Sequence, residues 1–307
     1  MSFVRQGPLD PVLLDLVGDM ALRGFAETCI FSIMYGMFVV LFGQITITYL
    51  KRKKPTQAQR WMFIICVMSF LLFMIHGALE VGVAGAFVYS MLVGNRSEPL
   101  VDKIVLVTPL LVKLDVGVVW MRGIEIMVSD TIVVWRAFAL LNHRRGLVIM
   151  PFILLLGCIG SSLLFLAHYT MGRSTLGLFL VNYLLSLATN VAATGLIGYI
   201  YWYDKKNAAA LERHGMDQAA HVLALLMESG AVFCVFQTIN IGVALIFNNS
   251  PGATNYWSLA IAAVFIGLTA MYPTMVIALV NSQYTLGPIS SGEVSFRPVS
   301  SGKALEH

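Results

Sequence analysis

Charge is what this chain has least of. Only 12% of its 307 residues are Asp, Glu, Lys or Arg, while 58% are hydrophobic, and the mean hydropathy is +0.80. A soluble globule of this length needs more polar surface than that to cover its core. A large soluble domain is excluded as well, because the longest stretches between apolar runs are residues 1–26, 93–115 and 281–307. Lysine is missing from the interior of the last apolar run: Lys51, Lys53, Lys54, Lys103, Lys113, Lys205, Lys206 and Lys303 all lie outside the runs or at their margins. That argues against a Schiff base to retinal. The six histidines form no HxxxH or HExxH pair, so a membrane zinc hydrolase is not indicated and no metal or other cofactor is expected. Nor is there a phosphate-binding loop, a glycine-rich dinucleotide turn or an aspartate-rich run for a diphosphate. Cysteine is scarce: Cys29, Cys66, Cys158 and Cys234 all fall inside apolar runs, where a thiol behaves as a small apolar group. The net charge of +4 is too modest to suggest a nucleic-acid partner. No internal repeat is evident, which disfavours an inverted-repeat transporter.

What the chain does have is seven long apolar runs, at residues 27–50, 61–92, 116–141, 147–169, 176–203, 220–247 and 256–280. A helix of ~20 apolar residues crosses the ~30 Å hydrocarbon layer and satisfies its own backbone groups there. The expected fold is therefore all-α, a seven-transmembrane helical bundle over 27–280. Residues 1–26 carry Asp10, Asp15 and Asp19, unlike a secretory signal peptide. Leu9, Val12, Leu13, Leu16, Val17, Met20 and Leu22 recur at near-helical spacing, so this segment is expected to form a short amphipathic helix at the outer surface. Residues 281–307 are read as a tail whose closing Leu305-Glu306-His307 resembles a tag remnant.

Orientation follows from Lys and Arg near the span ends. Twelve basic residues fall on the side of the 1–2, 3–4 and 5–6 loops and the tail, against six on the other side. The N-terminus is thus expected outside and the C-terminus in the cytoplasm. Two N-glycosylation sequons agree with this, since Asn95-Arg96-Ser97 and Asn248-Asn249-Ser250 both fall on the expected outer face. Pro251 directly after the second weakens it.

Ionisable groups inside the runs are the candidate functional residues, because charge in hydrocarbon is costly. His76 and Glu80 are spaced i,i+4 and share one face of the second helix. The third helix holds Arg122, Glu125, Asp130 and Arg136, and the sixth holds Glu228. At 1.5 Å per residue, Glu80 and Arg122 both lie about 28 Å above the inner ends of their antiparallel helices, and His76 and Glu125 about 22–24 Å. These four are expected to meet as a polar cluster at the floor of an outward-facing cavity and to contact a ligand. A structural ion-pair network is the competing reading. Deeper, Asp130, Arg136 and Glu228 suggest a charge lock between the third and sixth helices. Tyr272-Pro273 near the inner end of the seventh helix suggests a hinge. Gly157, Gly160, Ser161 and Ser162, with Ala192, Ala193, Gly195 and Gly198, read as close-packing faces of the fourth and fifth helices.

Three stretches carry a family resemblance: Ser129-Asp130-Thr131-Ile132-Val133-Val134-Trp135-Arg136-Ala137, then Glu228-Ser229-Gly230-Ala231 continuing to Cys234 and Gln237, and Tyr272-Pro273-Thr274 through Asn281. With these the chain resembles a large group of seven-helix membrane proteins abundant in basidiomycete fungi. The resemblance implies a topology like that of G-protein-coupled receptors. The chain departs from the common receptor pattern in two ways: it has no outer cysteine pair tying the third helix to the 4–5 loop, and no Asp-Arg-Tyr at the end of the third helix. The leading expectation is a receptor-like glycoprotein of the fungal plasma membrane. It would bind a small or lipid-like ligand in the outer half of the bundle and meet a signalling partner in the cytoplasm. The alternatives are a membrane-embedded enzyme acting on a lipid or terpenoid, with Asp130 or Glu228 as general acid, and a channel or proton-coupled carrier that depends on Glu228.

Overall fold

The computed structural model describes residues 11–52, 56–93, 99–140, 145–211, 217–248 and 256–286. They form seven helices: α1 Pro11–Leu50, α2 Gln57–Val88, α3 Leu100–Leu140, α4 Ile149–Thr170, α5 Leu176–Leu211, α6 Asp217–Asn248 and α7 Tyr256–Leu286. A π-helical turn, Tyr89–Val93, continues α2, and a 3-10 turn, Arg145–Val148, leads into α4. All seven helices are long and apolar enough to cross a membrane, and no strand occurs among the described residues. The protein is an all-α seven-helix bundle of the multi-pass membrane type, and its apolar exterior faces lipid.

Local chemistry sets several of the boundaries. Thr56 caps α2: its hydroxyl accepts from the Gln59 backbone N–H, and the Gln59 side chain accepts from the Thr56 N–H. This reciprocal pair satisfies two donors that the first turn leaves free. At the other end of α4, Gly172 turns into the left-handed region with φ 65°. There its N–H reaches the Tyr169 carbonyl and the Arg173 N–H the His168 carbonyl, which closes the helix.

The helices pack as a ring, α1 to α7 in order, closed by α7 against α1, while α3 also touches α5 and α7. α7 is the central staff, with 61% of its spanning window buried. One apolar cluster joins α1, α2 and α7 around Phe31, Phe38, Phe73 and Met271. Another joins α3, α5, α6 and α7 around Val133, Ile197, Phe233, Phe265 and Tyr272. The expected close-packing face of α5 is present at Ala193, which is wholly buried, and at Gly198, while that of α4 is present only in part. Gly157 and Gly160 sit on the exposed side of α4, and only Ser161 and Ser162 of that group are buried. The closest contacts are Gly267 of α7 against Met34 of α1 and Gly230 of α6 against Thr194 of α5, followed by others that include Gly198 of α5 against Met227 of α6.

Two expectations about the N-terminal side change. The segment before residue 27 is not a separate surface helix, because α1 runs unbroken from Pro11 to Leu50. Nothing between Leu22 and Ile30 breaks a helix, and a single glycine, Gly24, is tolerated. Likewise most of the expected 2–3 loop is helical, since α3 begins at Leu100 and carries Pro109 within it. The Trp120 indole donates to the Thr170 hydroxyl over 3.1 Å, so the last residue of α4 is level with Trp120. From Leu100 to Trp120 there are about 30 Å of helix. α1 and α2 rise beside this stretch, Gly24 lying against Ala84 and Gly117 against Leu79. The N-terminal ends of α1 and α3 and the C-terminal end of α2 therefore extend beyond the slab that α4 spans.

Candidate functional site

The base of this extension is where the ionisable residues gather. His76 is wholly buried, and the Phe31 ring holds it edge-on at 5.0 Å between centroids. Its Nδ1 lies 2.9 Å from Glu125 Oε2 on α3, and its Nε2 lies 3.6 Å from Glu80 Oε1, one turn along α2. Arg122 donates to the same Glu80 oxygen over 3.4 Å. The structure thus brings His76, Glu80, Arg122 and Glu125 into one chain of contacts between α2 and α3. Equal heights on antiparallel neighbours make the four meet. Not every polar atom is used: His76 Nε2, Glu125 Oε1 and Arg122 Nε are buried with no hydrogen-bond partner among the described residues. Buried groups are usually satisfied, and of these three residues Arg122 borders open space, which marks it as the place where something polar can bind.

Two cavities adjoin the cluster at the end of the bundle where α1 begins. The larger, about 640 Å³, lies between α3, α4, α5, α6 and α7 and has Arg122, Asp115 and Glu27 on its wall. Its other walls are strongly aromatic, with Phe165, Tyr169, Phe179, Tyr183 and Phe265. Tyr169 hydrogen-bonds Asp115 and so occupies that carboxylate. The second cavity, about 580 Å³, is a largely apolar groove along the α1–α2 seam, reaching from Glu27 and Glu80 to Met20 and Val88. Glu27 lines both. It forms no hydrogen bond or ion pair among the described residues. The sequence reading gave Glu27, Asp115 and Tyr169 no part in the site. Glu27 stands at the start of an apolar run, where a charge reads as a span boundary; its position beside Arg122 is a product of packing.

The deeper residues separate into two groups. Asp130 is almost wholly buried and has only neutral partners: the Asn190 amide donates to it at 2.9 Å and the Cys158 thiol at 3.3 Å. Asn190 also reaches Gln237 Oε1, and Gln237 donates to the Ser186 hydroxyl at 2.7 Å. Beside them, Asn182 Oδ1 accepts from Ser162 at 2.6 Å and Ser161 at 3.2 Å. This network ties α3, α4, α5 and α6 together. Cys158 is a hydrogen-bond donor in it, not the inert apolar group its sequence context suggests.

Arg136 does not join that network. It donates to the Tyr272 hydroxyl over 2.6 Å, and its guanidinium carbon lies 4.9 Å from that ring's centroid, so the pair links α3 to α7 one residue from Pro273. Glu228 is exposed, and no hydrogen bond or ion pair joins it to Asp130 or Arg136. A charge lock between the third and sixth helices is therefore not formed. Depth alone placed these residues at similar heights, but helix rotation turns Glu228 away.

Asn95 lies outside the described residues. Asn248 is the last residue of α6, and the rest of its sequon lies outside them too. No group of three or more His, Cys, Asp or Glu suited to a metal occurs among the described residues. Comparisons with protein-family models, with curated proteins and with solved structures find no match for this chain.

Proposed function

We propose that this protein is a receptor-like member of the fungal seven-helix group it resembles, set in the plasma membrane with its N-terminus outside. It binds a small or lipid-like molecule in the outer half of the bundle. One observation carries the reading. Arg122 and Glu80, an ion pair between α2 and α3, stand on the walls of two cavities of about 640 and 580 Å³ at the same end of the bundle. Volumes of this size suit a small molecule, as do the mainly apolar lining of the second cavity and the mixed polar and aromatic lining of the first. His76 and Glu125 hold the pair from below.

The inner half serves as the relay in this reading. The Arg136–Tyr272 contact joins α3 to α7 beside Pro273, where a missing backbone donor weakens the helix. A ligand that shifts α7 against α3 alters that contact and presents a changed inner surface to a cytoplasmic partner. Glu228 has no part in this relay.

The test is co-purification. The protein is extracted from its native membrane directly into nanodiscs, and small molecules bound to it are read by native mass spectrometry. A discrete adduct on the wild-type protein that is lost in a folded Arg122→Leu variant supports the reading. An adduct-free protein, or one whose adduct survives Arg122→Leu, overturns it.

A further inference from the structure

We infer that the ligand is a cationic amphiphile, an amine or quaternary ammonium on a single alkyl chain, anchored by Glu27. This rests on the reading of the outer half as a binding site and adds the chemistry of what binds. Three independent features point the same way.

The first is charge. Among the residues lining the two cavities, the acidic groups are Glu27, Glu80 and Asp115, and the basic ones are Arg122 and Arg23. Arg122 is held by Glu80, Arg23 by Asp19 at 2.8 Å, and Asp115 by the Tyr169 hydroxyl. Among the described residues, the lining charge left without a hydrogen bond or ion pair is the Glu27 carboxylate, which lines both cavities. A cation complements it, whereas the basic group on the same wall, Arg122, already has Glu80 for a counter-charge.

The second is the aromatic wall. Phe165, Tyr169, Phe179, Tyr183 and Phe265 all line the larger cavity that Glu27 borders. Several ring faces around one space attract an ammonium group, and a quaternary ammonium most of all, because it carries little hydration to lose.

The third is the groove. Its walls are Met20, Ala21, Val81, Ala84 and Val88, with Leu111 from α3. From Glu80 to Val88 the groove runs about 12 Å along α2, the length of a chain of about ten carbons. It lies in the part of α1 and α2 that extends past the level of Thr170. In the inferred arrangement the headgroup sits in the aromatic cavity and the chain in the groove, with the Glu27 carboxylate, which lines both, between them.

The probes are decyltrimethylammonium, tetramethylammonium and decanesulfonate, titrated onto the full chain in phosphatidylcholine nanodiscs. Binding is read from the thermal midpoint and from Trp120 fluorescence. Decyltrimethylammonium is expected to bind at least tenfold more tightly than either of the others. Glu27→Gln, nearly the same in shape, should weaken that binding at least tenfold while leaving the midpoint without probe unchanged. Gly85 lines the groove, and a side chain added there meets nothing within 4 Å. Gly85→Leu should therefore fill the groove and erase the advantage of the decyl chain, with tetramethylammonium binding unchanged. Tighter binding of decanesulfonate by the wild-type protein overturns the inference in favour of an anion on Arg122 and leaves the binding reading standing. Equal affinity in wild type and Glu27→Gln overturns the role of Glu27. Binding of none of the three overturns the cationic amphiphile, while the co-purification result stands separately.

Discussion

The two polar regions of the bundle solve the same problem in opposite ways. Around Glu80 and Arg122 the groups are ionic, partly exposed and incompletely satisfied, and they border open space. Around Asp130 they are amides, hydroxyls and a thiol, closely enclosed, with Asp130 accepting from Asn190 and Cys158. A low-dielectric interior makes every unpaired polar group expensive, and the side chains bonded around Asp130 close their hydrogen bonds among themselves, while Ser129 Oγ beside them and Arg136 Nε and Nη1 have no partner among the described residues. A region that leaves donors and acceptors unused beside a cavity gives up some stability, and that is where binding is to be sought. The contrast predicts that damage to the Asp130 network costs stability and damage to the Glu80–Arg122 cluster costs binding.

The largest expected effect is in the enclosed network. Asp130→Leu removes the acceptor that the Asn190 amide and the Cys158 thiol share, and should cost about 2–3 kcal/mol. Thermal unfolding in nanodiscs reads this directly; a shift no larger than that of a lipid-facing substitution would erase the contrast. Next is steric. A side-chain carbon on Gly267 would lie 2.6 Å from Met34 Cε and 2.9 Å from Met34 Cβ, so Gly267→Ala forces α1 and α7 apart. A loss of about 1–3 kcal/mol is expected in the same assay, with a smaller loss on reverting space through Met34→Ala in the double variant.

Tyr272→Phe removes the 2.6 Å bond from Arg136 but keeps a ring for the guanidinium to face. It should cost about 1 kcal/mol, since polar bonds between membrane helices are worth little more. Hydrogen exchange of the inner ends of α3 and α7 should rise while that of the outer ends stays fixed. Smallest in stability is Arg122→Leu, because its ion pair with Glu80 is partly exposed and long at 3.4 Å. A change of about 0.2–1 kcal/mol is expected. The same variant should nonetheless lose whatever co-purifies with the protein. A large stability loss with binding intact would invert the comparison and make the outer cluster a structural brace.

Several parts of this arrangement are legible in the residues alone. The apolar runs announce seven helices, because hydrocarbon tolerates few other ways of burying a backbone. The i,i+4 spacing of His76 and Glu80 places them on one face, and equal depth on antiparallel helices puts Arg122 and Glu125 beside them. Depth fails for Glu228, since height along an axis says nothing of rotation about it, and the exposed face of α6 carries it away from Asp130. It fails for the helix limits as well: the N-terminal end of α3 continues through Pro109, which composition reads as a loop.

By itself, then, the sequence determined that this chain lives in a bilayer as seven helices and that its few charges sit at two depths, because transfer of side chains between water and hydrocarbon is a local property of each residue. Only the tertiary structure decided which charges meet. It gave Asp130 to Asn190 and Cys158, gave Arg136 to Tyr272, and left Glu27, which lines two cavities, without a hydrogen bond or ion pair among the described residues. Those pairings depend on how each helix is turned and where glycines such as Gly230 and Gly267 let backbones approach, and rotation and approach are settled by all the contacts of the bundle together.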